Sequence, residues 1–267
     1  MKIKLDLERK HKYLIQSLLS CVFIYIVTQD IIPLSKWYVG IFMVLLVVSG
    51  SYVSHYPNIH KENFLVSIIM PMGVLSGALL SLHFFPNLGF VFKLLVVAFF
   101  GFVYYLISLS DNIFLVVHDR AEAIPLYRVA VTWSQILQVV VAIPLFAGIF
   151  KINTTAFVQC FLVSFVASLC TYYQLWIYQF DQDAKRTGVG EIIFLSFSAF
   201  FFMYTASFAV SFFPTEAFLR ASFSSSVLLF ILSYISGHLK NEISRKMVAG
   251  YLVIVLVFLI TLLVFTP

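Results

Sequence analysis

Apolar residues in this chain fall in blocks of roughly twenty, separated by short polar stretches. No sustained apolar–polar alternation of the kind a half-buried strand needs is present. A helix rises 1.5 Å per residue and a bilayer's hydrocarbon core is ~30 Å thick, so a span takes roughly 17–25 mainly apolar residues. Nine blocks meet that requirement: 13–32, 37–54, 64–85, 88–109, 126–150, 154–178, 192–213, 218–236 and 247–265. A closed β-barrel is the other structure that satisfies its backbone in lipid, but its strands alternate over about ten residues. Continuous apolar blocks predict helices instead. Pro33, Pro57, Pro86, Pro125 and Pro214 lie between blocks, where a missing N–H costs little. Pro71 and Pro144 lie inside the third and fifth and predict kinks there. The apolar hexamer 112–117 is too short to cross, which predicts an interfacial or re-entrant piece between spans four and five.

Composition strengthens this picture. The chain has 267 residues, 61% hydrophobic and only 11% charged, against about 25% charged in a typical soluble domain. Such a chain cannot cover a water-facing surface, and it is too hydrophobic to be disordered. The predicted fold class is all-α, a polytopic integral membrane helix bundle. Residues 13–267 are expected to form a single nine-span domain behind a basic segment, 1–12. Aromatic pairs such as Trp37 and Tyr38, Tyr104 and Tyr105, and the group Tyr172, Tyr173, Trp176 and Tyr178 suggest interfacial belts.

Charge sets an orientation. With nine spans, 13 of the 17 lysines and arginines fall on the side of the N-terminus, with only Lys36, Lys93, Lys151 and Arg220 on the other. The positive-inside rule then predicts a cytoplasmic N-terminus and an external C-terminus, in a cytoplasmic (plasma) membrane. The net charge of +5 is accounted for by this bias, and no nucleic-acid partner is expected. Cys21, Cys160 and Cys170 all lie inside apolar blocks without metal-ligand spacing and read as small hydrophobes. The run Leu18-Leu19-Ser20-Cys21 approximates a lipobox, but the apolar block continues past it, as an uncleaved span does. Small residues predict how the helices approach: Gly73, Gly77 and Ser81 in span three, Ser164, Ser168 and Thr171 in span six, and Ser222, Ser224, Ser225 and Ser226 in span eight.

No ionisable residue sits at a span centre, which disfavours a proton relay, an ion pump or a voltage sensor. Gln135, Gln138 and Gln174 are the strongest polar positions inside spans and are expected to bridge helices. The chemistry-bearing residues collect in two loops on the cytoplasmic side. One carries Asp111, His118, Asp119, Arg120 and Glu122, with Arg128 entering the next helix. The other carries Asp181, Asp183, Lys185 and Arg186. Two carboxylates two residues apart can share a hard cation that bridges diphosphate oxygens, while neighbouring cations hold the rest of the anion. The plainer reading is a solvated polar loop in which acids and bases pair.

Nine spans with acidic cytoplasmic loops resemble the UbiA-type membrane prenyltransferases, a resemblance carried by Asp181 and Asp183 after span six. It implies magnesium and an isoprenoid diphosphate, held by two aspartate-rich motifs after the second and sixth spans. The loop after span two, 55–63, contains no aspartate, Asp181 and Asp183 are spaced more narrowly than the family's pattern, and Asp111 and Asp119 come two spans later. The resemblance therefore covers one short loop. No HExxH, Gly-x-Ser-x-Gly or Walker sequence occurs. The favoured reading is a non-catalytic membrane component that binds lipid, or a membrane-protein partner or second copy, through its cytoplasmic loops. The alternatives are a magnesium-dependent enzyme acting on a lipid diphosphate at that face, and a carrier of neutral or lipophilic cargo.

Overall fold

The computed structural model describes residues 9–29, 35–57, 59–84, 88–120, 125–181 and 183–265. They form nine helices and no strand: α1 (Arg9–Thr28), α2 (Lys36–His55), α3 (Lys61–Phe84), α4 (Phe90–Arg120), α5 (Pro125–Lys151), α6 (Ala156–Tyr178), α7 (Val189–Ser211), α8 (Ala217–Leu239) and α9 (Arg245–Val264). The protein is all-helical, and all nine helices are long and apolar enough to span a membrane. Each predicted block maps onto one helix, because twenty apolar residues in lipid can only close their backbone hydrogen bonds internally. Helices α3 and α5 continue through Pro71 and Pro144. Pro125 opens α5, where its absent N–H has no intrahelical partner to lose. Pro33, Pro86 and the basic residues before position 9 lie outside the described residues.

One expectation is corrected. The hexamer 112–117 is neither a re-entrant piece nor a separate interfacial one: it continues α4, which runs unbroken for 31 residues to Arg120. No proline or glycine interrupts the run from Phe102 onwards, so nothing stops the helix where its polar residues begin. Asp111, expected in a loop, is instead a buried helical residue.

The chain divides into two compact units, one within Met1–Arg120 and one within Ala121–Pro267. In the first, α1 lies against α4 in antiparallel register. Gln16 Nε2 donates to Tyr104 OH at 2.6 Å, Ser17 Oγ to the Gly101 carbonyl at 2.7 Å and Cys21 Sγ to the Val97 carbonyl at 3.5 Å. Residue numbers rise along α1 as they fall along α4. Small residues on both sides of this seam let the backbones approach, as membrane helices require when lipid removes the hydrophobic drive. Cys21 packs against Gly101 within α1.

In the second unit α8 is the central helix, touching α5, α6, α7 and α9. Its serines keep it narrow: Ser222, Ser224, Ser225, Ser226 and Ser233 are all buried. Aromatic contacts join α6 to α7 through Phe157–Phe208 and Phe161–Phe200, with ring centroids 5.2 Å and 5.5 Å apart. By contrast α9 packs on α8 and fully buries only Leu262, with most of its strongly apolar surface half-buried or exposed.

Of the aromatics expected in belts, Trp37 and Tyr38 are exposed, whereas Tyr104, Tyr173, Trp176 and Tyr178 are buried inside their units. A buried phenol needs a hydrogen-bond partner. Gln16 supplies one to Tyr104, and Gln135 Nε2 donates to Tyr178 OH at 3.5 Å.

Candidate functional site

The densest polar construction in the second unit lies where the α6–α7 connection meets the end of α8. Helix α8 stops at Lys240 with a left-handed Asn241 (φ 54°) behind it. Glu242 N–H donates to the Gly237 carbonyl at 2.9 Å and Asn241 N–H to His238 at 3.3 Å, the paired bonds of a Schellman closure. Asparagine suits the left-handed position because its short polar side chain tolerates it. Another terminal carbonyl, that of Leu239, accepts from Lys185 N–H at 2.8 Å, which ties the α6–α7 connection to the end of α8.

Asp181 completes the knot. Its Oδ1 accepts from Asp183 N–H at 3.1 Å, a turn made by an aspartate on its own backbone two residues on. Its Oδ2 lies 3.0 Å from Lys240 Nζ. The Asp181 side chain is only 5% exposed, and the ammonium also sits over the Tyr178 ring, 5.5 Å from its centroid. Burial alone pulls the Lys240 ammonium down, but the hydrogen bond and negative charge of Asp181 outweigh it and raise Lys240 above its ordinary value.

Two further carboxylates of this end have their own cations, while Glu242 is exposed without an ion pair among the described residues. Asp183 pairs with Arg128 at 2.8 Å and Glu191 with Lys185 at 3.1 Å. Both partners of the first pair are largely exposed, at 75% and 61%, so solvent screens it. Arg128→Ala is accordingly expected to change stability by less than about 1 kcal/mol, read as an unchanged SDS-unfolding midpoint. Arg186, Arg245 and Lys246 are exposed and have no carboxylate partner among the described residues. Arg245 and Lys246 open α9, whose N-cap Ser244 accepts from Met247 N–H at 3.2 Å.

Of the remaining candidates, Asp111, His118, Asp119 and Arg120 fall within the first unit. Asp111 is buried on α4, and the His118 ring lies 6.4 Å from that of His60, edge-on. Asp119 and Arg120 close α4, with side chains outside the described residues, and Glu122 lies outside them altogether. Asp111 and His118 therefore fall in one unit and Arg128, Asp181, Asp183, Lys185 and Arg186 in the other. Among the described residues no three His, Cys, Asp or Glu side chains stand close enough together to hold a metal ion.

Sequence reasoning passed over several residues that the structure makes central. His55 is buried with Nδ1 3.0 Å from the Ser51 carbonyl and Nε2 3.4 Å from that of Ser108, so its ring joins α2 to α4. Its ring also stands 5.4 Å from that of Tyr13 on α1. Gln16, a lone amide inside an apolar block, carried a readable signal, since a polar group in a span needs a partner. Lys240 carried none, because its partner is 59 positions away in the chain.

Comparison with models of known protein families, with curated proteins and with solved structures finds no match.

Proposed function

We propose that this chain is a non-catalytic integral membrane component that holds anionic lipid headgroups at its cytoplasmic face. The nine membrane-length helices support the membrane setting. The side on which lysine and arginine concentrate supports a cytoplasmic N-terminus and an external C-terminus in a plasma membrane. The observation that carries the reading is how the charges of the second unit are distributed. Each described carboxylate of the 181–191 segment is matched to a different cation, and Arg186, Arg245 and Lys246 remain over against one exposed carboxylate, Glu242, so the surplus at this end is positive. Unmatched cations beside a membrane attract anionic headgroups at about 1 kcal/mol each.

The same geometry argues against a magnesium-dependent lipid-diphosphate enzyme built on Asp181 and Asp183. Both Asp181 oxygens are engaged, one by Asp183 N–H and one by Lys240, while Asp183 reaches a different cation, Arg128. Neither carboxylate offers the other a shared ion. A carrier path through Gln138 is opposed by its complete burial and by the hydrogen bond its Nε2 donates to Gln174 Oε1 on the neighbouring helix.

Native mass spectrometry of the purified chain with phosphatidylglycerol and phosphatidylcholine tests the proposal. The intact protein should retain the anionic lipid preferentially. The Arg186→Gln/Arg245→Gln/Lys246→Gln variant should bind it roughly ten- to a hundredfold more weakly. Equal retention of the two lipids, or no change in the triple variant, would remove the basis for the reading.

A further inference from the structure

Helices α5, α6 and α8 enclose polar side chains whose hydrogen-bonding capacity exceeds what the protein fills. Gln138 on α5 and Gln174 on α6 are both 0% exposed. Gln138 Nε2 donates to Gln174 Oε1, with Ser134 Oγ also 3.5 Å away. Gln138 Oε1 and Gln174 Nε2 then make no hydrogen bond among the described residues. In this orientation the contact consumes one oxygen and one nitrogen and leaves one of each over.

Thr171 Oγ1 and Ser233 Oγ are likewise buried without a partner. Thr171 is three residues before Gln174, on the same face of α6. Ser233 is placed by register. Successive helices joined by short turns alternate in direction, so α8 runs antiparallel to α5, and Gln135 Nε2 donates to Ser236 Oγ between them. Three residues further along each helix, about 4.5 Å, bring Gln138 and Ser233 to one level. Each buried polar atom left bare is unfavourable, and apolar surroundings offer no relief.

We propose that Gln138, Gln174, Thr171 and Ser233 bind ordered water between α5, α6 and α8. The leftover set combines an amide acceptor, an amide donor and two hydroxyls that serve as either. Water matches it, being donor and acceptor at once and satisfied by two to four polar partners. The site lies one turn below Tyr178, next to the polar knot at the end of α6, so exchange with the aqueous side runs past Tyr178 and Gln135. This water serves as structural mortar: it completes hydrogen bonds that the three helices cannot make directly.

X-ray radiolytic hydroxyl labelling of the protein in lipid nanodiscs, read by mass spectrometry, tests this. Radicals arise from water in place, so a buried side chain is oxidised only when water stands beside it. Cys170 and Tyr178 flank Gln174 by one turn on the same face and are 4% and 5% exposed. Cys160 and Met203, at 0%, are the dry references. Cys170 is expected to oxidise at least roughly tenfold faster than Cys160, and Tyr178 to be modified alongside it, since the partner-rich polar site rather than the apolar interior is where buried water stays ordered. In Gln138→Leu/Gln174→Leu the Cys170 rate should fall to that of Cys160, with size-exclusion elution reporting the fold. Wild-type Cys170 and Tyr178 reacting no faster than Cys160 and Met203 would overturn the proposal, whether or not the double variant folds. So would fast labelling that persists in the folded double variant.

Discussion

Lys240→Met is expected to destabilise the protein by on the order of 2–3 kcal/mol, read as a lowered SDS-unfolding midpoint, because it strands the Asp181 carboxylate in a buried position. The methionine keeps most of the side-chain volume, so packing over Tyr178 survives and the charge is what changes. Adding Asp181→Asn to this variant should restore more than half of the loss, because asparagine can still accept from Asp183 N–H without carrying a charge. A cycle with no such recovery would mean that Lys240 acts by packing alone. The pair also has a pH signature. The folded pKa of Lys240 is raised above 10.5, so the charged form is the one that folding favours. Its contribution is fully present below pH 10.5 and disappears only as pH climbs through the folded value. Wild type and Lys240→Met should therefore converge in stability only in strongly alkaline buffer. Convergence at neutral pH would contradict the assignment.

Gly101→Ala is expected to lower stability by about 1–3 kcal/mol, although glycine-to-alanine in a helix ordinarily stabilises by roughly 0.5–1 kcal/mol. The sign reverses because a Cβ on Gly101 overlaps Cys21 Sγ across the α1–α4 seam. Relief takes either a turn of Cys21 to another χ1 rotamer, which gives up its contact with the Val97 carbonyl, or a separation of the two helices that stretches the Ser17 and Gln16 hydrogen bonds. Cys21→Ala removes the sulfur and should return Gly101→Ala close to the stability of Cys21→Ala alone. Gly250→Ala is the control: nothing lies within 4 Å of a Cβ there, so it should be neutral or slightly stabilising. If Gly101→Ala behaves like Gly250→Ala, the seam is looser than the structure has it.

The candidate site was legible in the sequence as a location but not as a chemistry. Asp181, Asp183, Lys185, Arg186 and Arg128 were identifiable because polar residues collect where apolar blocks end. Whether Asp181 and Asp183 share a cation depends on the direction of each side chain, which spacing does not record. The deciding residue, Lys240, approaches because the Schellman closure at Asn241 turns the chain there and the Leu239 carbonyl draws in Lys185. Asp111 shows the converse error. A carboxylate beside serine and asparagine read as a loop, but no helix-breaking residue precedes it, and α4 carries it on as a buried residue.

Hydropathy by itself located the nine helices found among the described residues, though not the end of α4, because in a bilayer a span must satisfy its own backbone and local composition decides which segments enter. The expected sidedness is likewise a count of lysines and arginines along the chain. Only the tertiary structure decided that Tyr104 and Tyr178 face inward, that α8 is central while α9 stays at the rim, that Gln16 and His55 join helices, and that Asp181 is paired with Lys240. Lipid leaves the choice between helix faces to close packing and to a few hydrogen bonds. Those depend on shapes meeting from distant parts of the chain.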